Sequence, residues 1–162
     1  MKPVKRVGIQ YAALPWRIAG RQVQVLLITS RGTQRWVIPK GWPIRGLKPA
    51  DAAAVEAAEE AGIVGEIEER PIGSYDYLKQ LPRGRAVDVQ VIVFPFRVTY
   101  QAPDWKERHE RNLEWRPYQK AAALVAEPAL RRLIRDFGDA RTPTLLAQGL
   151  WRYRTWRLAA RG

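Results

Sequence analysis

A chain of 162 residues in which 46% are hydrophobic is the size of one ordinary domain and can bury a core. With no cysteine and one histidine, His109, it excludes a disulfide framework, thiolate metal sites and multi-histidine zinc chemistry, so carboxylates are the metal ligands left to it. Its 28 Lys+Arg against 16 Asp+Glu give a formal charge of +12, which favours anionic partners: phosphorylated metabolites, nucleic acid or an acidic membrane surface.

The N-terminus, Met1-Lys2-Pro3-Val4-Lys5-Arg6, is not followed by the apolar stretch of a secretory signal. No apolar run of about 18 residues is present to span a bilayer, and a cytoplasmic protein is expected. Alternating or apolar runs predict strands from Arg6 to Ala13, Val23 to Thr29 and Arg35 to Ile38, with turns at Ala19-Gly20 and Arg31-Gly32. A loop containing Pro39, Gly41, Pro43, Gly46 and Pro49 leads into an alanine-rich helix from Ala50 to Ala61, closed by Gly62. A strand pair follows from Gly73 to Lys79 and from Val87 to Tyr100, joined by Gln80-Leu81-Pro82-Arg83-Gly84-Arg85. Helical patterns return from Pro117 to Val125 and from Pro128 to Phe137, where Pro128 suits a first turn. The last stretch, Pro143 to Arg161, sets Leu146, Leu150, Tyr153 and Trp156 along an apolar stripe. Strands mixed with a few helices predict an α+β sandwich rather than a doubly wound sheet.

The alanine-rich helix carries Glu56, Glu59 and Glu60 on one face, where carboxylates three and four residues apart repel by a few tenths of a kcal/mol per pair, about 0.2–0.5. Ala52, Val55, Ile63 and Val64 at the flanking positions offer no cation. Such a cluster is either a solvated acidic face or an oxygen cage for a divalent cation.

The stretch from Gly41 to Ile63 resembles the Nudix box, G-x5-E-x7-R-E-U-x-E-E-x-G-U with U apolar. Gly41, Glu56, Ala57, Glu59, Glu60, Gly62 and Ile63 stand at their places, whereas Leu47 occupies the first glutamate position and Val55 the arginine position. Leu26 to Arg31, Arg35 to Pro43, Gly73 to Lys79 and Trp105 to Trp115 look like the diphosphoinositol polyphosphate phosphohydrolase branch of that family. The likeness implies an α/β/α sandwich around a mixed β-sheet over residues 1–140, followed by a basic helical extension over 141–162. It also implies Mg²⁺ or Mn²⁺ as cofactor and hydrolysis of phosphoanhydride bonds. By motif position it makes Glu56, Glu59 and Glu60 metal ligands, joined by the main-chain carbonyl of Lys40. Glu56 becomes the proton acceptor, with Glu107, and Glu110 behind it, as the candidate base from a later loop. In relatives, an arginine at the Val55 position pairs with the box glutamates; valine cannot, and a nearby arginine such as Arg45 in the preceding loop is a candidate substitute.

Phosphate contacts are expected from Arg31, Arg35, Lys40, Lys79, Arg83 and Arg85, within a wider basic set that includes Arg17, Arg21 and Lys48. Trp36, Trp42, Tyr75 and Tyr77 read as packing residues, with base stacking the less common alternative. The extension, with Arg141, Arg152, Arg154, Arg157 and Arg161 and no acid, reads either as a helix packing on the domain or on a second subunit, or as a contact to RNA or an acidic membrane. Two functions compete on these residues. One is a metal-dependent hydrolase of a highly phosphorylated metabolite, such as a diphosphoinositol polyphosphate or a dinucleoside polyphosphate. The other is a weakened domain that binds a phosphorylated ligand or RNA without cleaving it.

Overall fold

The computed structural model of the chain describes residues 6–142. In chain order the elements are β1 (Arg6–Ala19), β2 (Gln22–Thr29), β3 (Trp36–Val37), β4 (Lys40–Gly41), α1 (Pro49–Ala61), β5 (Ile63–Ile67), β6 (Gly73–Gln80), β7 (Ala86–Gln101), β8 (Leu113–Pro117) and α2 (Tyr118–Leu124). A further helix, α3, takes in residues 128–142 at the end of the described part. The proposed stripe after Pro143 lies outside the described residues. No helix among the described residues is long and apolar enough to cross a membrane.

The spine of the fold is the parallel pairing of β1 with β7, which runs from Gly8 opposite Val89 to Trp16 opposite Arg97. Antiparallel partners extend this pair on both sides: β2, β3 and β8 beyond β1, and β5 and β6 beyond β7. The sheet is therefore mixed. Its two faces follow from the period-2 alternation of the strands. Ala12, Leu14 and Trp16 of β1, Val23, Val25 and Leu27 of β2, and Val89, Val91 and Val93 of β7 face one side. There they pack with Tyr118, Ala121, Leu130, Ile134 and Phe137 of α2 and α3. Ala13, Leu26, Ile28, Phe94 and Phe96 face the other side, against Ala50, Ala53, Ala57 and Ala61 of α1. Helices on both faces of a mixed sheet make the α/β/α sandwich expected from the sequence.

On the α1 side the alanines are the reason the helix fits. Their short side chains bring the helix axis close to Phe94 and Phe96, so the apolar stripe is narrow and the opposite face is left to the glutamates. Pro49 starts the helix without a side-chain cap, and Gly62 ends it in the left-handed conformation at φ 64°, donating its N–H to the Ala58 carbonyl.

Several elements differ from expectation. β1 runs on through Leu14-Pro15 to Ala19, with Pro15 opposite Phe96 of β7 and the pairing with β2 beginning one residue later, at Trp16. β4, β5 and β8 were not legible locally. β4 is two residues long, and β8 follows a charged loop and exists through its pairing with β2. α3 continues five residues past Phe137, where Gly138 lies against the Tyr118 ring. Arg141 at its end stacks on Trp16 at 4.3 Å and pairs with Glu68 at 2.8 Å, so the first arginine of the basic extension packs on the domain.

A side chain at position 62 meets two obstacles at once. The φ of 64° disfavours any L-residue, and a Cβ there would lie 2.4 Å from the Trp105 ring. Gly62→Ala is expected to cost about 2–4 kcal/mol of stability, measured by urea denaturation, from left-handed strain plus overpacking.

Candidate active site

The glutamate face of α1 is met from three directions. From below comes β4, whose Lys40 N–H donates to Glu60 Oε2 at 3.4 Å. Gly41 follows, where a Cβ would stand 2.1 Å from Glu56 Cδ, so glycine is what lets the Glu56 carboxylate lie against the backbone. From the β2–β3 turn comes Arg31. From the loop between β7 and β8 come Lys106, Glu107, Glu110 and Arg111.

That loop is fastened to the end of α1. The Ala102 N–H donates to the Gly62 carbonyl, the Glu107 N–H to the Glu59 carbonyl at 3.1 Å, and Gln101 Nε2 to the carbonyls of Ala61 and Gly62. Its far end is tied to β2: the Asn112 N–H donates to Thr29 Oγ1 and Arg111 Nη1 to the Thr29 carbonyl. The ion pairs follow from this frame. Lys106 reaches Glu59 at 3.2 Å, Arg111 reaches Glu60 at 3.2 Å and Glu107 at 3.4 Å, and Arg31 reaches Glu107 at 3.2 Å and Glu110 at 3.7 Å. Glu56 makes no ion pair among the described residues.

A cavity of about 550 Å³ opens beside these groups. It is lined by Glu56, Glu60 and Arg111, by Arg31, Arg35 and Lys40, and by Tyr77, Lys79 and Gln80 of β6. Gln10, Trp42 and Glu127 line it as well. A second hollow of about 310 Å³ shares Arg31, Glu56 and Glu60 with it and is lined further by Glu59, Lys106, Glu107 and Glu110.

Burial outweighs attraction in the electrostatics of the wall. Glu60 is pushed up to about 7 by loss of water, with Glu107 and Glu56 adding to the rise and Arg111 and Lys40 opposing it. Glu56 is raised in the same direction by burial, then by Glu59 and Glu107. Lys40, its ammonium 5.0 Å over the Tyr77 ring, is lowered to about 8 by burial despite Glu60 and Glu127 nearby. Crowded, partly dehydrated carboxylates are an environment that a hard divalent cation relieves, and oxygen is the donor Mg²⁺ or Mn²⁺ takes. No three acidic or histidine side chains among the described residues already converge as a finished cage. The donor set fits such an ion in kind, with Lys106 and Arg111 each holding a glutamate by a single contact.

The residues picked from the sequence divide clearly. Glu56, Glu59, Glu60, Lys40, Glu107, Glu110 and Arg31 come together, and Arg35 and Lys79 line the cavity. Arg83 and Arg85 sit exposed on the β6–β7 hairpin and do not line it. Arg17 stacks on Trp115 at 4.1 Å, and Lys48 pairs with Glu69. Arg45 is exposed in its loop, Leu47 is 43% exposed, and the cation that reaches the helix glutamates from a buried position is Arg111. Tyr75 is core, whereas Tyr77 faces the cavity and donates its hydroxyl to Gln10. Arg111, Gln10 and Glu127 carry no local signal. Arg111 is one of several charges in an irregular loop, Gln10 one polar position in a strand, and Glu127 precedes an unremarkable helix.

A helix ending in glutamates, a glycine under the first of them and a mixed-sheet sandwich define a domain of the Nudix type. The model of the NUDIX domain matches residues 10–137, and the chain belongs to that family. It is 27% identical over 122 residues to Nudix hydrolase 12, mitochondrial, of Arabidopsis thaliana, covering 72% of this chain and 59% of that protein. It is 33% identical over 94 residues to Nudix hydrolase 17, mitochondrial, of the same plant, covering 58% and 50%. The chain thus spans between half and three fifths of these relatives. Among solved structures, a C. elegans Ap4A hydrolase binary complex superposes with a TM-score of 0.58 at 23% identity, over 81% of this chain and 95% of the other. The NUDIX domain of Shewanella oneidensis NrtR complexed with ADP ribose gives 0.60 at 17%, over 82% and 88%. At these identities the structural likeness shows the fold.

Two outcomes test the geometry. Gly41→Ala must push Glu56 aside, but the obstacle is the end of a flexible side chain. The melting temperature is expected to fall less than in Gly62→Ala, where both the backbone and a packed ring stand in the way. The second concerns pH. Between about 4.5 and 7 native Glu60 holds a proton that the unfolded chain has released, so its contribution to stability falls as pH rises and is fully lost above 7. Between about 8 and 10.5 the unfolded chain holds a proton that native Lys40 has lost, so stability rises again. Metal-free protein melted across this range is expected to show a minimum near pH 7–8, with the acid limb flattened in Glu60→Gln.

Proposed function

We propose that the domain is a hydrolase that cleaves a phosphoanhydride bond in a phosphorylated metabolite with the help of Mg²⁺ or Mn²⁺. The observation that carries this reading is the meeting of opposite charges in one cavity, lined by Glu56 and Glu60 together with Arg31, Arg35, Lys40 and Lys79. A phosphoanhydride resists water because its own negative charge repels the nucleophile, so catalysis rests on positioning and charge neutralisation. Glu56, Glu59 and Glu60 are the residues that would hold the cation, with the Lys40 carbonyl beside them. Bound there, it supplies charge neutralisation and a more acidic water. The cationic walls hold the phosphates. Glu56 takes the proton: burial raises its carboxyl above the ordinary value and no ion pair engages it among the described residues, whereas one oxygen of Glu107 is already shared by Arg31 and Arg111.

Of the two substrate classes suggested by the sequence, the cavity favours a dinucleoside polyphosphate. Glu127 and the hydrogen-bonded pair Gln10 and Tyr77 line the cavity beside its basic residues, and a ring phosphorylated on every side would bring phosphate against Glu127. A ligand that is anionic along its chain and neutral at its end avoids this. The names of two structural neighbours, an Ap4A hydrolase and a domain complexed with ADP ribose, point the same way.

Purified protein incubated with dinucleoside polyphosphates, ADP-ribose and diphosphoinositol polyphosphates, with Mg²⁺ or Mn²⁺, is expected to release product fastest from the first. Glu60→Gln is expected to lower turnover by about 100-fold or more. Metal-independent binding without turnover in every case would establish the binding-module reading instead.

A further inference from the structure

We propose that Arg111 is a positioning residue that performs, from the β7–β8 loop, the clamping of the glutamates for which α1 itself has no cation. The inference rests on the hydrolase reading above and adds a residue to it. The α1 helix runs Pro-Ala-Asp-Ala-Ala-Ala-Val-Glu-Ala-Ala-Glu-Glu-Ala, with no basic side chain at all. Val55, beside Glu56, can neither neutralise nor orient a carboxylate. Arg111 can do both. Its side chain is 7% exposed, and one terminal nitrogen, Nη2, lies 3.2 Å from Glu60 Oε1 and 3.4 Å from Glu107 Oε1. The other, Nη1, donates to the Thr29 carbonyl at 3.0 Å and fixes the plane of the guanidinium. Neither carboxylate is consumed by this contact. Glu60 Oε2 turns to the Lys40 N–H, and Arg111 itself forms part of the cavity wall beside Glu56 and Glu60.

Three attachments make the clamp rigid, and all belong to other parts of the fold: β2 through Thr29 and Asn112, the end of α1 through the Glu107 N–H, and Gly62 through Trp105 packed where a Cβ would stand. A planar fork held at one end by a carbonyl fixes two carboxylates in a way that a point charge does not. Arg111 Nε has no hydrogen-bond partner among the described residues, so the polar contacts of this side chain are those of its two terminal nitrogens.

Arg111→Ala and Arg111→Lys, checked for folding by circular dichroism, test this through two readouts. Turnover is expected to fall about 10- to 100-fold in Arg111→Ala, with KM changing less than about threefold, and to recover at least about tenfold on addition of millimolar guanidinium. Calorimetry with Mn²⁺ alone is expected to show binding weakened by a similar factor, with Arg111→Lys intermediate in both. Mn²⁺ binding unchanged or tightened in Arg111→Ala would overturn the proposal, because the arginine would then only compete with the ion for the carboxylates. Should Arg111→Ala not fold, Arg111→Lys decides: wild-type turnover and wild-type Mn²⁺ affinity in it overturn the clamp. A wild-type protein that hydrolyses nothing yet binds Mn²⁺ in an Arg111-dependent way refutes the hydrolase reading and leaves the positioning of the glutamates standing.

Discussion

Glu60 is a carboxylate taken almost out of water and set among other carboxylates, and the rest of the site is arranged around that fact. Left alone, such a group stays protonated or unfolds its surroundings, because desolvation of a charge costs several kcal/mol unless a partner compensates. The compensation here is the Arg111 fork, shared with Glu107 and backed by the Thr29 carbonyl. It is incomplete, since burial still holds Glu60 well above the ordinary carboxylate range. The shortfall gives the site its character. It leaves negative charge that a divalent cation or a cationic ligand group can relieve, in a cavity that Arg31, Arg35, Lys40 and Lys79 also line.

The sheet makes this arrangement affordable. β1 and β7 are long and parallel, so the end of β7 and the start of its following loop fall beside the C-terminus of α1, which packs across the same strands. Gln101, the last residue of β7, already caps the Ala61 and Gly62 carbonyls. The loop then has little choice of path: Trp105 seats under Gly62, Glu107 hangs from the Glu59 carbonyl, and Asn112 enters the neighbourhood of β2. Because β8 pairs with β2 directly afterwards, Arg111 is pinned between two regular elements. A loop fixed at both ends can position a side chain as well as a helix can.

Legibility in the sequence followed the range of the interactions concerned. The Ala50 to Ala61 helix, the Gly62 stop and the grouping of Glu56, Glu59 and Glu60 are local consequences of helical period and glycine's backbone freedom, and each is found where the pattern puts it. Long strands such as β2 and β7 show the same agreement, because apolar alternation is also local. β4 and β8 are strands only because β1 and β2 offer them hydrogen bonds, so nothing in Lys40-Gly41 or Leu113 to Pro117 announces them. Arg83 and Arg85 show the limit of reading along the chain: they share a hairpin with Lys79, yet only Lys79 is among the residues that line the cavity.

Leu47 and Val55 are the places where the sequence reading and the structure meet most instructively. Read along the chain, the missing arginine of the box is a loss, and a nearby arginine such as Arg45 is a candidate substitute. In three dimensions distance along the chain does not matter, and a guanidinium 51 positions beyond Glu60 reaches it because the sheet brings the two together. The amino-acid sequence by itself determined the family, the sandwich and the carboxylates of α1, since these depend on periodicity and motif spacing. Only the tertiary structure decided which cation serves those carboxylates, which basic residues line the cavity and which polar groups close its floor, since each is a contact between elements far apart in the chain.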